Sequence, residues 1–368
     1  MDPISLLELP SKFDFGDTKE APIGLRPRGL WKSAVTEGQQ LPFLGGPHVF
    51  SNLEIFLKIG QHLAIIEVDH RQATRWADTM GGGDQFRSAL SMLTKKRSPF
   101  VGLNTKKPNI MGIINVTPDS FYAGSRFDPV EAVDKAYRMI EDGADIIDIG
   151  GESSRPGSNP TPKEQEMDRV LPVIEKLQGC GVPLSIDTRR SAVMREAISA
   201  GVSIVNDVTA LSDEGAIKVL KENPHVSVVL MHAQGIPRNM QNNPRYNHVT
   251  YEVLCFLLHQ VLKCKAAGIE RSRIAVDPGF GFGKNFDQNV QMLRELAMLH
   301  CTGCVILTGI SRKSFLGAIT NQTEAEGRLS ASVAASIAAL SQGAQIHRVH
   351  DVKEVRQAFA VYDRVNAD

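Results

Sequence analysis

The amino-acid sequence predicts an α/β protein whose main part is a (β/α)8 TIM barrel, preceded by a small α/β N-terminal extension. Eight short apolar runs follow one another between residue 108 and the C terminus, and each is followed by a helical or loop segment. Nearly every run ends in a polar residue. Eight such units in about 260 residues match the usual size of this barrel.

The competing architecture is a doubly wound open sheet, which also alternates strands and helices. Such a sheet would gather its polar strand ends at the one crevice where the strand order reverses. Here polar residues end nearly all of the apolar runs, from Asn115 in the first to His350 after the last. This distribution favours a closed barrel, in which all strand ends surround one pocket.

The first unit illustrates the pattern of the others. Its apolar run becomes polar at Asn115 and is stopped by the following Thr-Pro pair. Asp128 and Pro129 then predict the start of a helix, as N-cap and first helical residue, and Gly143 predicts its end. A helix-ending glycine, a small apolar residue and a strand recur together at residues 143–148, 201–206 and 343–348.

The other elements follow from the same signals. Strands are predicted at residues 144–149, 182–186, 202–205, 226–231, 274–276, 305–308 and 344–348. Helices are predicted between them, including one at 249–267 and one at 331–340. Thr161-Pro-Lys-Glu164 has the pattern of a capping box, and Pro172 predicts a kink in the helix that it opens.

Residues 1–106 do not follow this pattern. Residues 18–47 are rich in proline and glycine and are interpreted as loops. A strand is predicted at 62–68, and two short helices are predicted at 71–79 and 85–93, on either side of a Gly-Gly-Gly hinge. We therefore expect two parts, an extension of unknown role at 1–106 and a barrel domain at 107–368.

The composition argues against several classes of partner. Lys plus Arg and Asp plus Glu both number 41, so the chain lacks the basic excess typical of nucleic-acid or anionic-membrane binding. No signal peptide is evident, and no apolar run approaches the ~18 residues of a membrane helix. The five cysteines show no disulfide or zinc framework, which favours a reducing compartment. We expect a soluble, cytoplasmic protein.

The strand ends supply both hydrogen-bond acceptors and cations. Asp187, Asn206 and Asp277 can accept hydrogen bonds, and a carboxylate pairs well with two adjacent N–H groups of a heterocycle. Cations that can hold phosphate oxygens are Arg155, Lys313 and Arg348. Each residue alone has an ordinary structural explanation, such as a helix N-cap for an Asp. Their convergence predicts a site for a donor-rich heterocycle with an anionic tail.

The stretch Gly279-Phe-Gly-Phe-Gly-Lys284 invites comparison with a phosphate-binding loop. It is one residue too short for a Walker A motif, and Asn285 stands where Ser or Thr is needed. We interpret its glycines as allowing a tight turn beneath a flat ligand, with Phe282 as an apolar wall.

Eight motifs occur in order at the predicted strand ends, and together they resemble those of the dihydropteroate synthases, a pterin-binding barrel family of folate synthesis. They are Ile114-Asn-Val-Thr-Pro-Asp-Ser-Phe121, Gly150-Gly-Glu-Ser-Ser-Arg-Pro-Gly157, Ser185-Ile-Asp-Thr188, Asn206-Asp-Val208, Leu230-Met-His232, Asp277-Pro-Gly-Phe-Gly-Phe-Gly-Lys284, Ser311-Arg-Lys-Ser-Phe315 and Arg348-Val-His-Asp-Val352. The resemblance begins near residue 108, and the first 106 residues have no counterpart in the family pattern.

The resemblance implies a reaction and a set of site residues. A dihydropterin carrying a hydroxymethyl diphosphate loses pyrophosphate, and the amine of 4-aminobenzoate attacks the exposed methylene carbon to give dihydropteroate.

The resemblance also assigns roles to individual residues. Catalysis would depend on Lys313, Arg155, Asp187 and Asp277. The pterin would be held by Asp187, Asn206, Met231, Asp277 and Lys313. The pyrophosphate would be held by Asn115, Arg155, Arg348 and His350. The 4-aminobenzoate would be contacted by Ser154, Pro156, Phe121, Phe282 and Ser314. Mg2+ would bridge Asn115 and the diphosphate, and the family habit implies a homodimer and inhibition by sulfonamides.

One departure from the family pattern keeps alternatives open. Ala123 stands where the family's first loop carries a second carboxylate, so a non-catalytic pterin-binding paralogue or regulatory partner is the main alternative. A Schiff-base aldolase using Lys313 is less favoured, because the adjacent Arg312 suggests anion binding. A corrinoid-linked methyltransferase shares the barrel but would not need the Ser-Arg-Lys and Arg-Val-His motifs.

Overall fold

The computed structural model describes residues 22–36, 38–59, 62–79, 83–116, 129–153, 158–235 and 240–366. The chain divides into two compact units. The first takes in the described parts of Met1–Arg97, Tyr246–Leu258 and Glu295–Cys304. The second takes in the described parts of Ser98–Arg245, His259–Arg294 and Val305–Asp368. The boundary that the sequence suggests between residues 106 and 107 stays a prediction.

Besides residues 249–258 of a later helix, the first unit contains a described N-terminal part with two small antiparallel sheets and two helices. Its elements are β1 (Gly24–Arg28), β2 (Trp31–Lys32), β3 (Leu41–Pro42), β4 (His48–Phe50), β5 (Asn52–Ile59), β6 (His62–Asp69), α1 (His70–Thr79) and α2 (Gly83–Thr94). One sheet has the strand order β1-β5-β6 and the other has the order β2-β4-β3.

The sequence-based interpretation of this unit is correct in part. The strand predicted at 62–68 and the two helices are confirmed by β6, α1 and α2. The interpretation of residues 18–47 as loops is wrong at β1, β2 and β3, and β5 has no predicted counterpart. Pro27 is tolerated in β1 because that strand lies at the edge of its sheet, where a missing N–H removes no ladder hydrogen bond. Gly81 and Gly82 lie outside the described residues.

Two later segments of the chain contribute to the core of the first unit. The Tyr251 hydroxyl donates a hydrogen bond to the carbonyl oxygen of Pro22 at 2.7 Å. The backbone N–H of Leu25 donates to Sγ of Cys301 at 3.3 Å. These contacts join segments that lie more than 200 residues apart in the sequence. The first unit is therefore discontinuous along the chain.

The second unit is built on a closed barrel of eight parallel strands, which confirms the predicted fold class. The strands are β7 (Asn109–Asn115), β8 (Ile146–Gly150), β9 (Leu184–Asp187), β10 (Ile204–Asp207), β11 (Ser227–Met231), β12 (Ile274–Asp277), β13 (Val305–Thr308) and β14 (Ile346–Val349). Each pairs with its neighbours in chain order, and β14 pairs with β7 to close the ring.

Helices follow the strands around the ring. They are α3 (Pro129–Glu141), α4 (Lys163–Lys176), α5 (Ser191–Ser199), α6 (Ala216–Glu222), α7 (Val249–Ala266), α8 (Phe286–Arg294), α9 (Ser314–Thr320), α10 (Leu329–Ser341) and α11 (Val352–Val365). Within the described ranges, none of the helices is long and apolar enough to span a bilayer.

The helix ends agree with the sequence signals at most positions. Gly143 has a φ of +100°, a left-handed conformation that only glycine adopts without strain, and α3 ends just before it. The predicted capping box at Thr161 is wrong, because the N-cap of α4 is Pro162 and no side chain caps the helix. The backbone N–H of Thr161 instead donates to Oε1 of Glu152 at 2.8 Å. Pro172 lies inside α4 and does not end it.

Apolar side chains fill the barrel interior away from the strand ends. They form one buried cluster whose members come from seven strands and from the segment before β7, namely Phe100, Met111, Ile146, Ile204, Val229, Ala275, Val305, Leu307 and Ile346. A filled interior leaves the rim at the C-terminal ends of the strands as the place where the barrel can hold a ligand.

Candidate active site

A cavity opens at the C-terminal ends of strands β9 to β14, and with its mouth it encloses about 340 Å³. Its lining is mostly the last residue of a strand or the loop that follows. The lining residues are Asp187, Asn206, Val208, Met231, Asp277, Gly279, Phe280, Phe282, Gly309, Lys313 and Arg348. Two carboxylates and two cations therefore face one small space.

Arg348, in the last barrel strand, is hydrogen bonded to acids of β8 and β9. Its Nε donates to Oδ2 of Asp148 at 2.6 Å, and its Nη2 donates to Oδ2 of Asp187 at 2.7 Å. Asn206 donates from Nδ2 to the same Oδ2 of Asp148 at 3.1 Å. Asp148 is fully buried, and its Oδ1 has no hydrogen-bond partner within the described part of the chain. One buried acid thus orients a cation and an amide that both line the cavity.

Two carboxylates share the single guanidinium of Arg348, and the charge balance affects Asp187. Burial raises the pKa of Asp187 to about 7, with Arg348 opposing the shift and the carboxylate of Asp148 adding to it. The pKa of Arg348 is raised despite its burial, because both carboxylates stabilise its charge. Arg348 therefore stays cationic, while Asp187 can change protonation near neutral pH.

The same cavity lining carries Asp277, Phe282 and Lys313. Oδ1 of Asp277 accepts a hydrogen bond from the backbone N–H of Gly279 at 2.7 Å. Burial raises the pKa of Asp277 to about 6, and the Gly279 N–H and the charge of Lys313 oppose the shift. Nζ of Lys313 lies 4.3 Å from the centroid of the Phe282 ring, a cation–π contact that holds an ammonium beside an aromatic wall.

His350 follows β14 and is held by Ser311. The Ser311 hydroxyl lies 3.0 Å from Nδ1 of His350 and accepts the backbone N–H of His350 at 3.3 Å. Burial, together with Arg348 and Arg312, lowers the pKa of His350 to about 3. His350 is therefore neutral at pH 7 and interacts with an anion by hydrogen bonding rather than by charge.

Seven of the predicted site residues line the cavity, namely Asp187, Asn206, Met231, Asp277, Phe282, Lys313 and Arg348. Asn115 ends β7, His350 follows β14 and Ser314 begins α9 with an exposed side chain. Four predicted site residues lie outside the described residues, namely Phe121, Ser154, Arg155 and Pro156. Ala123 and Asp128 also lie outside them.

Two acids in and just after β8, Asp148 and Glu152, are absent from the predicted site residues. Asp148 could have been found as the second acid of the Asp-Ile-Ile-Asp stretch of β8, because an acid inside an apolar strand needs a buried partner. Glu152, which belongs to the same sequence motif as Arg155, accepts hydrogen bonds from Nε of Arg189 at 2.9 Å and Nη2 of Arg190 at 2.8 Å. No local signal indicates those two pairs.

Comparisons with known proteins agree with this geometry. Residues 111–350 match the family model described as pterin binding enzyme. A dihydropteroate synthase of Neisseria meningitidis serogroup C is 45% identical over 267 residues, covering 72% of this chain and 94% of that protein. A dihydropteroate synthase of Escherichia coli (strain K12) is 44% identical over 263 residues, covering 71% of this chain and 93% of that protein.

Solved structures give the same result. The dihydropteroate synthase of Xanthomonas albilineans with 4-aminobenzoic acid has a TM-score of 0.69 and 43% identity, covering 72% of this chain and 96% of that one. The same enzyme in complex with 7,8-dihydropteroate has a TM-score of 0.66 and 41% identity, with the same coverage of 72% and 96%. The chain therefore belongs to the pterin binding enzyme family and, within it, to the dihydropteroate synthases.

Proposed function

We propose that the barrel pocket condenses 6-hydroxymethyl-7,8-dihydropterin diphosphate with 4-aminobenzoate, giving 7,8-dihydropteroate and pyrophosphate in folate biosynthesis. The activity is the transferase activity of the family to which the chain belongs. The observation that supports the assignment to this pocket is the pair of carboxylates, Asp187 and Asp277, facing one cavity together with Lys313 and Arg348.

The pterin ring binds the acceptors of the cavity. Asp187 and Asp277 each accept from N–H groups of the aminopyrimidinone, and Asn206 both donates and accepts. Met231 packs against the ring, and Lys313 donates to its acceptor edge. Asp148 does not touch the ring in this scheme and instead fixes the amide of Asn206, to which it is hydrogen bonded.

The diphosphate binds next to the cavity, where β14 pairs with β7. Arg348 supplies a permanent charge there, and neutral His350 supplies a ring N–H. Asn115 and Arg155 complete the set in our proposal. Stabilising the charge that develops on the departing diphosphate is the main catalytic contribution of these groups.

The reaction then needs little proton transfer from the protein. The bond between the methylene carbon and the diphosphate oxygen breaks, and both electrons leave with pyrophosphate. The pterin ring delocalises the positive charge that remains, and ionised Asp187 and Asp277 stabilise it. The amine of 4-aminobenzoate, which is neutral at pH 7, forms the new C–N bond and afterwards loses one proton. Binding both fragments in contact supplies the rest of the rate.

The 4-aminobenzoate lies over the outer part of the pocket. Phe282 provides an apolar wall, and the Ser314 hydroxyl donates to the carboxylate. Phe121, Ser154 and Pro156 are proposed to complete this subsite. Phe282 contacts the ammonium of Lys313, so one side chain of the wall is shared by the two substrate subsites.

Magnesium fits this pocket only as an ion shared with the substrate. Among the described residues, no group of three or more His, Cys, Asp or Glu side chains could hold a metal by itself. The amide oxygen of Asn115 is a hard ligand of the kind Mg2+ accepts, and Mg2+ commonly takes one protein ligand with phosphate oxygens and water. When bound, Mg2+ would neutralise charge on the diphosphate.

The oligomeric state and the cellular location are inferred from the family and from the cysteines. We propose a homodimer by the habit of the family, and a cytoplasmic location from the five cysteines, all of which are free thiols. The comparisons favour the synthase over a non-catalytic pterin binder, despite Ala123. The aldolase and corrinoid alternatives have no supporting observation in the described residues.

The proposal is tested by measuring pyrophosphate release from the dihydropterin diphosphate with Mg2+, in the presence and absence of 4-aminobenzoate. We expect release with formation of dihydropteroate. Calorimetric binding of the pterin without release would instead indicate the non-catalytic pterin binder, and Ala123→Asp would then test whether the loop carboxylate restores activity.

A further inference from the structure

A buried lysine lies behind the pocket wall, and the proposed mechanism does not use it. Lys284 is 2% exposed and ends the glycine-rich loop after β12. Its Nζ donates to the carbonyl oxygens of Gly279 at 3.0 Å and Phe282 at 3.2 Å, and lies 3.0 Å from Nδ1 of His232. A buried ammonium is costly unless its N–H groups are all satisfied. The three close acceptors match the three N–H groups of an ammonium.

The acceptors of this ammonium come from two neighbouring loops. His232 follows β11, and the loop from Gly279 to Gly283 follows β12. A Cβ on Gly279 would lie 2.0 Å from the carbonyl oxygen of His232, and one on Gly283 would lie 2.3 Å from that of Gln234. The backbones of the two loops are therefore in a contact that only glycine permits. Lys284 is hydrogen bonded to both loops from the buried side.

These loops carry two parts of the cavity wall. Gly279 donates its N–H to Asp277, and Phe282 contacts Lys313. Both Gly279 and Phe282 also give their carbonyl oxygens to Lys284. Lys284 therefore contacts Asp277 indirectly, through Gly279, and contacts the backbone of the aromatic wall directly at Phe282. It does not line the cavity itself.

We propose that Lys284 is a positioning residue, whose ammonium fixes the glycine-rich loop so that Asp277 and Phe282 keep the geometry that binds a pterin. This inference rests on the proposed function of the pocket. An unprotonated amine has only two N–H groups, so its lone pair would face the third acceptor. The loop would then lose one of its hydrogen bonds to Lys284.

The surroundings favour loss of that proton in the neutral range. Burial lowers the pKa of Lys284 to about 7, and Lys313 adds to the shift while Asp277 opposes it. His232 is neutral, because burial and the charge of Lys284 lower its pKa to about 2, so its Nδ1 can act as the acceptor. All three hydrogen bonds of the Lys284 ammonium are present below its pKa, and one is lost as the pH rises through about 7.

The test is the dissociation constant of 6-hydroxymethylpterin, measured by calorimetry between pH 6 and 9. Because ionisation of Asp187 strengthens pterin binding over the same pH range in every variant, each variant is compared with the wild type at the same pH. Lys284→Met should bind about ten-fold more weakly than the wild type at pH 6.5, the loss of roughly one charge-assisted hydrogen bond. This difference should shrink as the pH rises through about 7, where the wild type loses its own ammonium. Lys218→Met, at a position 73% exposed, is the matched control and should behave as wild type.

A second pair of variants covers the case in which Lys284→Met fails to fold. His232→Asn keeps an acceptor near the position of Nδ1 and should retain the wild-type pH profile. His232→Leu removes that acceptor, so the ammonium should lose its proton about one pH unit lower, and binding should be weaker than in the wild type mainly between about pH 6 and 7. Superimposable profiles for Asn, Leu and wild type would overturn the inference. Absence of pterin binding by the wild type at every pH would count against the proposed function itself.

Discussion

The buried carboxylate of Asp148 sets the charge balance of the pocket, and removing its charge should have a measurable effect on pH dependence. In Asp148→Asn, the amide oxygen can still accept from Arg348 and Asn206. Its new N–H groups would point where Oδ1 has no hydrogen-bond partner within the described chain, so one buried donor is unsatisfied. We expect the variant to fold with a free energy of unfolding about 2–3 kcal/mol lower, from that donor and the weakened charge pair.

The effect on Asp187 follows from the shared guanidinium. At an effective dielectric of about 20, two carboxylates held by one guanidinium repel by a few kcal/mol, which corresponds to roughly 2 pKa units. In the variant, Asp187 is the only carboxylate that pairs with Arg348, and the repulsion from Asp148 is gone. The pKa of Asp187 should therefore fall well below its present value of about 7. Asp277, with a pKa of about 6, becomes the group that limits pterin binding at low pH.

The assay is the pH dependence of kcat/KM, which reports the ionisation of groups in the free enzyme. The acidic limb should move from about pH 7 in the wild type to about pH 6 in Asp148→Asn, so that activity persists to lower pH. Asp145→Asn is the control, since Asp145 precedes the same strand but pairs with Arg356 away from the cavity. A folded Asp148→Asn enzyme whose profile overlays that of the wild type would refute the reasoning.

Three further predictions follow from the pocket and the extension. Lys313→Ala should weaken pterin binding about 30-fold in calorimetry, the loss of a charge-assisted hydrogen bond worth about 2 kcal/mol; unchanged affinity would contradict the site assignment. Sulfonamides should inhibit competitively with 4-aminobenzoate in steady-state kinetics, and non-competitive inhibition would argue against the proposed subsite. Deleting residues 1–100 should lower the melting temperature, because Tyr251 and Cys301 lose partners, but should leave the pocket chemistry intact; an inactive truncate that remains folded would disprove this.

The sequence alone determined the barrel and much of the candidate site. Its strands lie within about two residues of the predicted positions, because buried parallel strands and helix-ending glycines are local signals. The polar strand ends could be grouped in advance, since closing a parallel barrel necessarily brings those ends together. Asp187, Asn206, Asp277, Lys313 and Arg348 accordingly line one cavity.

The tertiary structure alone decided which of these groups are paired and which acids can change their protonation. Asp148 and Arg348 are 200 residues apart, and no local pattern specifies that the acid orients the arginine. The sequence gives no sign that Lys284 is buried against His232, 52 residues away, or that Cys301 shares a core with Leu25. Burial and charge pairing are properties of the space around a side chain, and that space is filled by residues from distant parts of the chain.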